Sequence, residues 1–529
     1  MSETVVGEKG MVVAPHRAAA EAGAEILRAG GNAIEATIAA AVTIAVVYPH
    51  LNGLGGDAFW LIAEPGRPPR AIDASGAAGS LATRERYEEK GYDRIPERGP
   101  DAALTVAGAV SGWALAAEIA GALGGRLPRG DLLADAIGRA KDGTPTSGSL
   151  ARATARHLAE LAPVPGFASH FLVAGKAPLE GAVLKQPRLA DTLDQLARAG
   201  FDDFYRGDIA GEISADLDAV RSPVTRADLE KHAARLATPL SVELADATVF
   251  NTPPPTQGLA SLILLGLFDR LGVKRGESFE HIHGLIEAAK HAYAVRNAEV
   301  TDPADAGDVA EFLQPAWLDA RVQMIDGRRA GLFSRAVASG DTVWLGAIDR
   351  RGLAVSFIQS LYFGFGSGVV LPRTGIVWHN RGAAFSLDPE AKNPLEPGRK
   401  PFHTLNPPLA RFRDGRTFCY GTSGGDRQPL VQAEIFTRYA RFAMTLGEAT
   451  DAPRLVLSPK PGLARGEITM ESRFDPDLVT ALASAGHEIR VLPEAYVAGM
   501  GHAGALVRRA DGRLFGASDP RSDGAAVAA

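Results

Sequence analysis

The stretch ASGDTVWLGAIDRRGLAVSFIQS, residues 338–360, holds a threonine placed where it could do chemistry. Thr342 follows Gly340-Asp341 and opens an apolar run. DRRG supplies a turn and LAVSFIQS runs back with loose alternation, which predicts a β-hairpin. A β-branched residue at the head of a strand is ordinary strand chemistry. The second reading is that the chain is cut between Asp341 and Thr342, so that the threonine becomes a new N-terminus carrying both nucleophile and base. Its hydroxyl attacks an amide carbonyl and its own α-amino group takes the proton. An α-amine titrates at about 7.7–8.0, near the value a general base needs at neutral pH. Such a site needs no histidine beside the nucleophile, and the stretch contains none. The same hydroxyl can attack the carbonyl that precedes it, giving an N-to-O acyl shift and then hydrolysis. An amide cleaver also needs donors for the oxyanion. GTSGGDR, 421–427, is a candidate, because Gly424 and Gly425 permit a turn whose successive N–H groups point at one spot. The alternative is a plain strand-to-helix turn.

The elements that must position these residues read as follows. Residues 17–47 predict two Ala-rich helices broken at Gly30-Gly31, the second apolar on nearly every side and therefore buried. PHLNGLGGDAFWLI, 49–62, is a Gly-rich turn feeding a buried strand, and without GxxxxGK it makes a poor phosphate loop. Residues 104–162 and 186–234 are mostly helical, with a Thr cap at TRADLEKH, 225–232. NTPPPTQG, 251–258, is a rigid loop between a strand and a long helix from about Leu259. The basic stretch 321–335 reads as a solvated loop, and after Thr342 the character changes to strands and glycine turns.

Composition sets the outer bounds. The 529 residues are 46% hydrophobic and 22% charged, an ordinary globular balance with a sizeable core. A net charge of −6 leaves no electrostatic footprint for nucleic acid or anionic membrane. The one cysteine, Cys419, excludes an intramolecular disulfide and a Cys-based metal site. MSETVVGEKG lacks a secretory pattern, and the apolar run Ala36–Tyr48 is too short to span a membrane. The expectation is a cytoplasmic protein with no cofactor, no metal, and no nucleic-acid or membrane partner.

The chain resembles the γ-glutamyltransferase family of N-terminal nucleophile hydrolases. The resemblance covers nearly all of it, in GMVVAPHRAAAEAGAEILRAGGNAIEATIAAA (10–41), PHLNGLGGDAFW (49–60), FYRGDIA (204–210), PPPTQGL (253–259), DTVWLGAIDRRGLAVSFIQS, FGFGSGVV (363–370), RKPFHTLNP (399–407), GTSGGDR and GASDPR (516–521). It implies an α+β fold, the four-layer αββα sandwich. It also implies one proenzyme that cuts itself into a large subunit, 1–341, and a small one, 342–529, together forming a single composite domain. Thr342 matches the family nucleophile. Ser360 matches a hydroxyl that steadies it, unless Ser360 simply ends its strand. Gly424 and Gly425 match the oxyanion hole.

The sequence departs from the family where γ-glutamyl groups are gripped. Members acting on such groups have Thr-Thr-His at the new N-terminus; here it is Thr342-Val343-Trp344. Their Asn, Gln and Asp contacts to the glutamyl α-amino and α-carboxyl groups fall on Tyr362, Arg381 and Ala384, and their Ser-Ser pair on His403-Thr404. The acid that would pair with a substrate ammonium is gone, and a cation suited to a carboxylate has appeared. The implied substrate is a small amide bearing a carboxylate and no α-amine. The chain looks most like the oxamate amidohydrolase branch, whose reaction is oxamate to oxalate and ammonia. Arg381 could instead serve a structural salt bridge, Tyr362 could be a lid or packing aromatic, and His403 a satisfied loop histidine. Arg84 lies near a carboxylate-binding arginine of some relatives, although a solvated helix-start residue fits it as well. Three alternatives stand beside this reading: a γ-glutamyltransferase or glutathione hydrolase with an altered pocket, a related acylase, and an unprocessed, inactive scaffold or binding protein of the same fold.

Overall fold

A computed structural model describes residues 3–333, 340–460 and 463–529, with the backbone alone at Asp341, Pro459, Lys460 and Leu463. Among these residues the chain builds two seven-stranded antiparallel sheets. The first runs β19 (Ala525–Ala528), β2 (Gly10–Ala14), β10 (Asp341–Asp349), β11 (Ala354–Tyr362), β3 (Asp57–Ala63), β4 (Arg70–Ala74) and β7 (Arg235–Ala237). The second runs β1 (Val5–Gly7), β18 (Leu514–Ser518), β17 (Ala503–Arg508), β13 (Thr417–Thr422), β12 (Leu409–Phe412), β9 (Ala247–Asn251) and β8 (Leu240–Glu243). Two small additions, β5 (Thr144–Pro145) with β6 (Val183–Leu184), and β14 (Leu455–Lys460), β15 (Leu463–Met470) and β16 (Glu488–Val491), lie outside them.

The layering follows from side-chain alternation along each strand. On the first sheet Val12, Trp60, Ile62, Val343, Leu345, Val355 and Phe357 meet the Ala-rich helices Arg17–Arg28 and Ala33–Val47 and their neighbours. Their alternates Met11, Phe59, Leu61, Trp344, Ile348 and Ile358 meet Leu409, Cys419, Leu506 and Leu514 of the second sheet. The outer face of that sheet, with Val249, Ala410, Phe418, Tyr420 and Val507, packs on the helices Gly258–Leu271, Phe279–Glu299 and Gln428–Ala440. The order is helix, sheet, sheet, helix, the αββα sandwich of N-terminal nucleophile hydrolases. With both faces of both sheets covered, the central strands read as nearly unbroken apolar runs. Among the described residues no helix is long and apolar enough to cross a membrane.

The helix Ala33–Val47 is buried at every position, as its all-round apolar character requires, and Asn32 and Glu35 close its start in a reciprocal capping box. The reading of residues after Thr342 as strands and glycine turns misses Gln428–Ala440. That helix is buried on nearly all sides, so it shows no amphipathic stripe. The basic stretch 321–335 begins on the helix Pro315–Val322, and its last two residues lie outside the described ones, as do Ala338 and Ser339 of the stretch before the hairpin.

Each sheet contains strands from both sides of the Asp341–Thr342 bond. β2 lies between β19 and β10, and β9 pairs with β12. Neither portion of the chain owns a sheet. At the centre of the sandwich the Trp344 indole lies in a slot made by three glycines. A Cβ on Gly421 would stand 2.2 Å from its Cδ1, one on Gly504 2.5 Å from its Cζ3, and one on Gly346 2.6 Å from its Cη2. Its Nε1–H donates to Ser356 Oγ at 2.9 Å. We expect Gly421→Ala to cost about 1–3 kcal/mol by overpacking, read as a lower urea midpoint and partly recovered when Trp344→Leu is added. An unchanged midpoint would show that the slot has slack.

Candidate active site

β10 and β11 pair regularly from Val343↔Gln359 onward, but Asp341 faces Tyr362, so the register shifts at Thr342. Ser360 and Leu361 together oppose Thr342, a β-bulge of the kind that re-aims a side chain. The Thr342 hydroxyl, 1% exposed, donates to Ser360 Oγ at 3.4 Å, and that oxygen accepts the Tyr362 N–H at 2.7 Å. β10 runs through the Asp341–Thr342 bond, so the Thr342 nitrogen is here an amide, which is no base.

A chain of contacts leads from Thr342 to the glycine turn. Tyr362 adopts φ +81°, a left-handed conformation costly for a bulky residue, and its ring lies 3.5 Å from the Arg381 guanidinium carbon. Arg381 stands at the start of the single turn Arg381–Ala384. Its Nη2 donates to Thr404 Oγ1 at 3.2 Å and its Nη1 makes a longer contact, 3.5 Å, to the Phe402 carbonyl. The Gln257 amide then donates to the carbonyls of Thr404 (2.7 Å) and Gly425 (2.8 Å). Gly424 and Gly425 have φ of +115° and +58°, and the turn passes directly into the helix Gln428–Ala440. The turn is therefore a strand-to-helix connection whose left-handed backbone glycine accommodates without steric strain.

Buried charge concentrates here. Burial lowers the Arg381 pKa to about 10, so the guanidinium stays charged at neutral pH. Burial also pushes the Tyr362 phenol up to about 12, with Arg381 opposing. Arg296, Arg438, Arg454 and Arg521 are buried too, and each lies against a carboxylate, of Asp426, Glu277, Asp519 and Asp519 at 2.8, 2.9, 2.9 and 3.0 Å. Arg381, 1% exposed, forms no ion pair with any described residue, and the Asp57 and Asp426 carboxylates only partly oppose the effect of burial on it.

His403 has both nitrogens engaged. Nε2–H donates to Asp57 Oδ2 at 3.1 Å and Nδ1 accepts the Leu405 N–H at 3.4 Å. Burial, reinforced by the Arg381 charge, holds its pKa down to about 3, so the ring is neutral. Asp57 pairs in register with Ser360, accepts the N–H groups of Gly76 (3.0 Å) and Gly108 (3.1 Å), and lies 3.4 Å from His379 Nδ1. Burial alone would raise the Asp57 carboxyl, but His379 and His403 hold it well below the usual carboxylate range. Arg84 opens the short helix Arg84–Glu89 behind its Thr83 cap, half-buried, and among the described contacts nothing links it to Thr342, Arg381 or the glycine turn.

The sequence reading missed Asp57, Gln257, Arg296 and Asp426. A signal existed for two of them: Asp57 is an acid heading a wholly apolar strand, and Asp426 follows the glycine pair. Gln257 and Arg296 carry none. Elsewhere, His283, Glu287 and His487 bring ligand-type atoms within 4.8 Å of one another, a grouping invisible along the chain. Lys290 Nζ already lies 2.8 Å from Glu287 Oε1 and the two imidazoles share a 2.8 Å hydrogen bond, so an ammonium and a proton stand where a cation would.

The gamma-glutamyltranspeptidase family model matches residues 19–529, and the chain belongs to that family. It is 51% identical, over the full length of both chains, to an oxamate amidohydrolase proenzyme of Klebsiella pneumoniae. It is 39% identical, again over both full lengths, to a glutathione hydrolase-like proenzyme of Bacillus subtilis. The crystal structure of a cephalosporin acylase from Bacillus halodurans superposes with a TM-score of 0.91 at 32% identity, covering 100% of this chain and 97% of that one. The chain is an amidohydrolase of this family.

Replacing the Asp57 carboxylate by an amide puts an N–H donor against His403 Nε2–H. Asp57→Asn is expected to destabilise the protein by about 1.5–3 kcal/mol, the scale of a hydrogen bond to a charged group. Urea denaturation checks it, and an unchanged midpoint would remove Asp57 from the support of the site.

Proposed function

We propose that the chain is a proenzyme that cuts itself before Thr342 and then hydrolyses a small carboxylate-bearing amide, oxamate being the best match. The observation that carries this reading is Arg381, a buried guanidinium that makes no ion pair with any described residue, although the Asp57 and Asp426 charges act on it from farther away. Holding an unpaired cation out of water costs several kcal/mol, and a substrate carboxylate would offset that cost. The 51% identity to a protein named oxamate amidohydrolase proenzyme supports the same substrate class.

In the first step Thr342 Oγ attacks the Asp341 carbonyl, the peptide nitrogen leaves as the α-amine, and water opens the resulting ester to free the Asp341 carboxyl. Chains 1–341 and 342–529 stay together because both contribute strands to each sheet. In the second, Thr342 Oγ attacks the amide carbon while the new α-amine takes its proton, and Ser360 steadies the hydroxyl. Backbone N–H groups at Gly424–Gly425 bind the oxyanion. Arg381 and Thr404 hold the neighbouring carboxylate, with Tyr362 flooring the pocket. Collapse expels ammonia, which carries away the proton returned by the amine. Water, deprotonated by the same amine, releases oxalate.

Wild-type protein should run as two bands on a denaturing gel, Thr342→Ala as one inactive chain, and Thr342→Ser should cut more slowly. Activity in an intact single polypeptide would overturn the N-terminal nucleophile. Ammonia release from oxamate should exceed amine release from γ-glutamyl p-nitroanilide; the reverse preference sinks the substrate assignment alone. Arg381→Gln should still process, because cutting uses no substrate carboxylate. Its KM for oxamate should rise at least about tenfold, since leaving a buried carboxylate without its charge-assisted hydrogen bonds costs about 2–5 kcal/mol. A normal KM would free Arg381 from the role.

A further inference from the structure

Gln257 is buried with each polar atom of its side chain committed, and it joins the two ends of the site. It stands just before the helix Gly258–Leu271, and its backbone N–H donates to the His403 carbonyl at 2.9 Å. The side-chain Nε2 donates one hydrogen to Thr404 O at 2.7 Å and the other to Gly425 O at 2.8 Å, while Oε1 accepts from Arg296 Nη1 at 2.7 Å. The same Nη1 lies 2.8 Å from Asp426 Oδ1, and the guanidinium sits over Tyr293 and Phe402 with centroid distances of 4.7 and 5.4 Å. The glycine turn is thus gripped twice, at the Gly425 carbonyl through Gln257 and at the Asp426 carboxylate through Arg296. Thr404, the other carbonyl on Gln257, carries the hydroxyl that accepts from Arg381.

An amide NH₂ is planar, with its two hydrogens in fixed directions, so one such group sets the spacing of the two carbonyls it binds. Turning either carbonyl turns its peptide plane, which for Gly425 carries the Asp426 N–H at the end of the glycine turn and for Thr404 the Leu405 N–H that donates to His403 Nδ1. We propose that Gln257, oriented by Arg296, is the positioning residue that sets the span between the oxyanion turn at Gly424–Gly425 and the carboxylate anchor at Arg381–Thr404. This rests on the site reading given above. In oxamate the carbonyl and carboxylate carbons are directly bonded, so the substrate has no slack with which to follow a misplaced subsite. A longer, flexible amide has that slack. Gln257 is then specificity-determining for the shortest carboxylate-bearing amides.

Gln257→Glu keeps the side-chain shape and the Arg296 contact but presents acceptors to both carbonyls; Gln257→Ala removes everything beyond Cβ. Each is assayed after processing, with active sites titrated, against oxamate and against γ-glutamyl p-nitroanilide, whose α-carboxylate is several bonds from the scissile carbonyl. For oxamate we expect kcat to fall at least about tenfold and KM to rise in both variants, with a smaller loss on the longer substrate. Adding Arg381→Gln should change kcat/KM less in the Gln257 variants than in wild type, by more than about twofold. If the variants only lower the titrated active fraction, with kcat, KM and the Arg381 effect unchanged per active site, Gln257 is packing and the proposal fails. If wild type releases no ammonia from oxamate, the substrate reading falls by itself. The Gln257–Arg381 coupling measured on γ-glutamyl p-nitroanilide then decides the proposal, a coupling within about twofold overturning it.

Discussion

β10 and β11 are covered on both faces, by helices on one side and by the second sheet on the other, and this double burial fixes their register. A slip of one residue would carry Trp344 out of its glycine slot and exchange every inward and outward side chain. The pairing therefore cannot relax the bulge at Thr342 by sliding. Ser360 is held beside the threonine on one flank, and Asp57 is held beside Ser360 on the other. Thr342, Ser360 and Asp57 lie at one end of adjacent strands because of this constraint.

Around that end the protein keeps several charges out of water, and they are not equally matched. Asp57 has two backbone N–H groups and His403. Asp426 has Arg296, and Arg296 has Gln257 besides. Arg381 has a hydroxyl, a distant carbonyl and a ring face. The Asp57 and Asp426 carboxylates act on Arg381 from beyond ion-pair distance, so among the described residues this guanidinium is a buried cation with no carboxylate in direct contact. Desolvation makes a buried cation without a contacting anion costly, and the proposed substrate carboxylate would offset that cost. For the proposed oxyanion role of the glycine turn, the same low-dielectric surroundings would strengthen its backbone donors.

The interleaving of the two portions of the chain matters for the proposed cut. A break before Thr342 falls at the head of a strand whose neighbours come from both sides of the break, β2 from one and β11 from the other. The hydrogen bonds and apolar contacts that hold the cut ends are therefore all in place without the peptide bond. A nucleophile can be freed there with no loss of the architecture that aims it.

Much of this was legible in the order of residues. The hairpin, the buried helix Ala33–Val47, the threonine behind Gly-Asp and the glycine pair all depend on local patterns: alternation, all-round apolarity, and residue types with a particular chemistry or backbone freedom. The cation at Arg381 was visible as a residue, and the family resemblance, with Ala384 replacing an acid, argued for an anionic ligand. Whether that cation was already paired was not visible, because pairing depends on which carboxylates approach from distant segments. Asp57 meets His403 across 346 positions, and Arg296 meets Asp426 across 130. The amide of Gln257, in a loop that reads only as rigid, binds two carbonyls 147 and 168 positions away. Local sequence determines which groups the chain has to offer. Packing of the two sheets and their helices determines which of those groups satisfy one another, and so leaves Arg381 buried with no ion pair among the described residues.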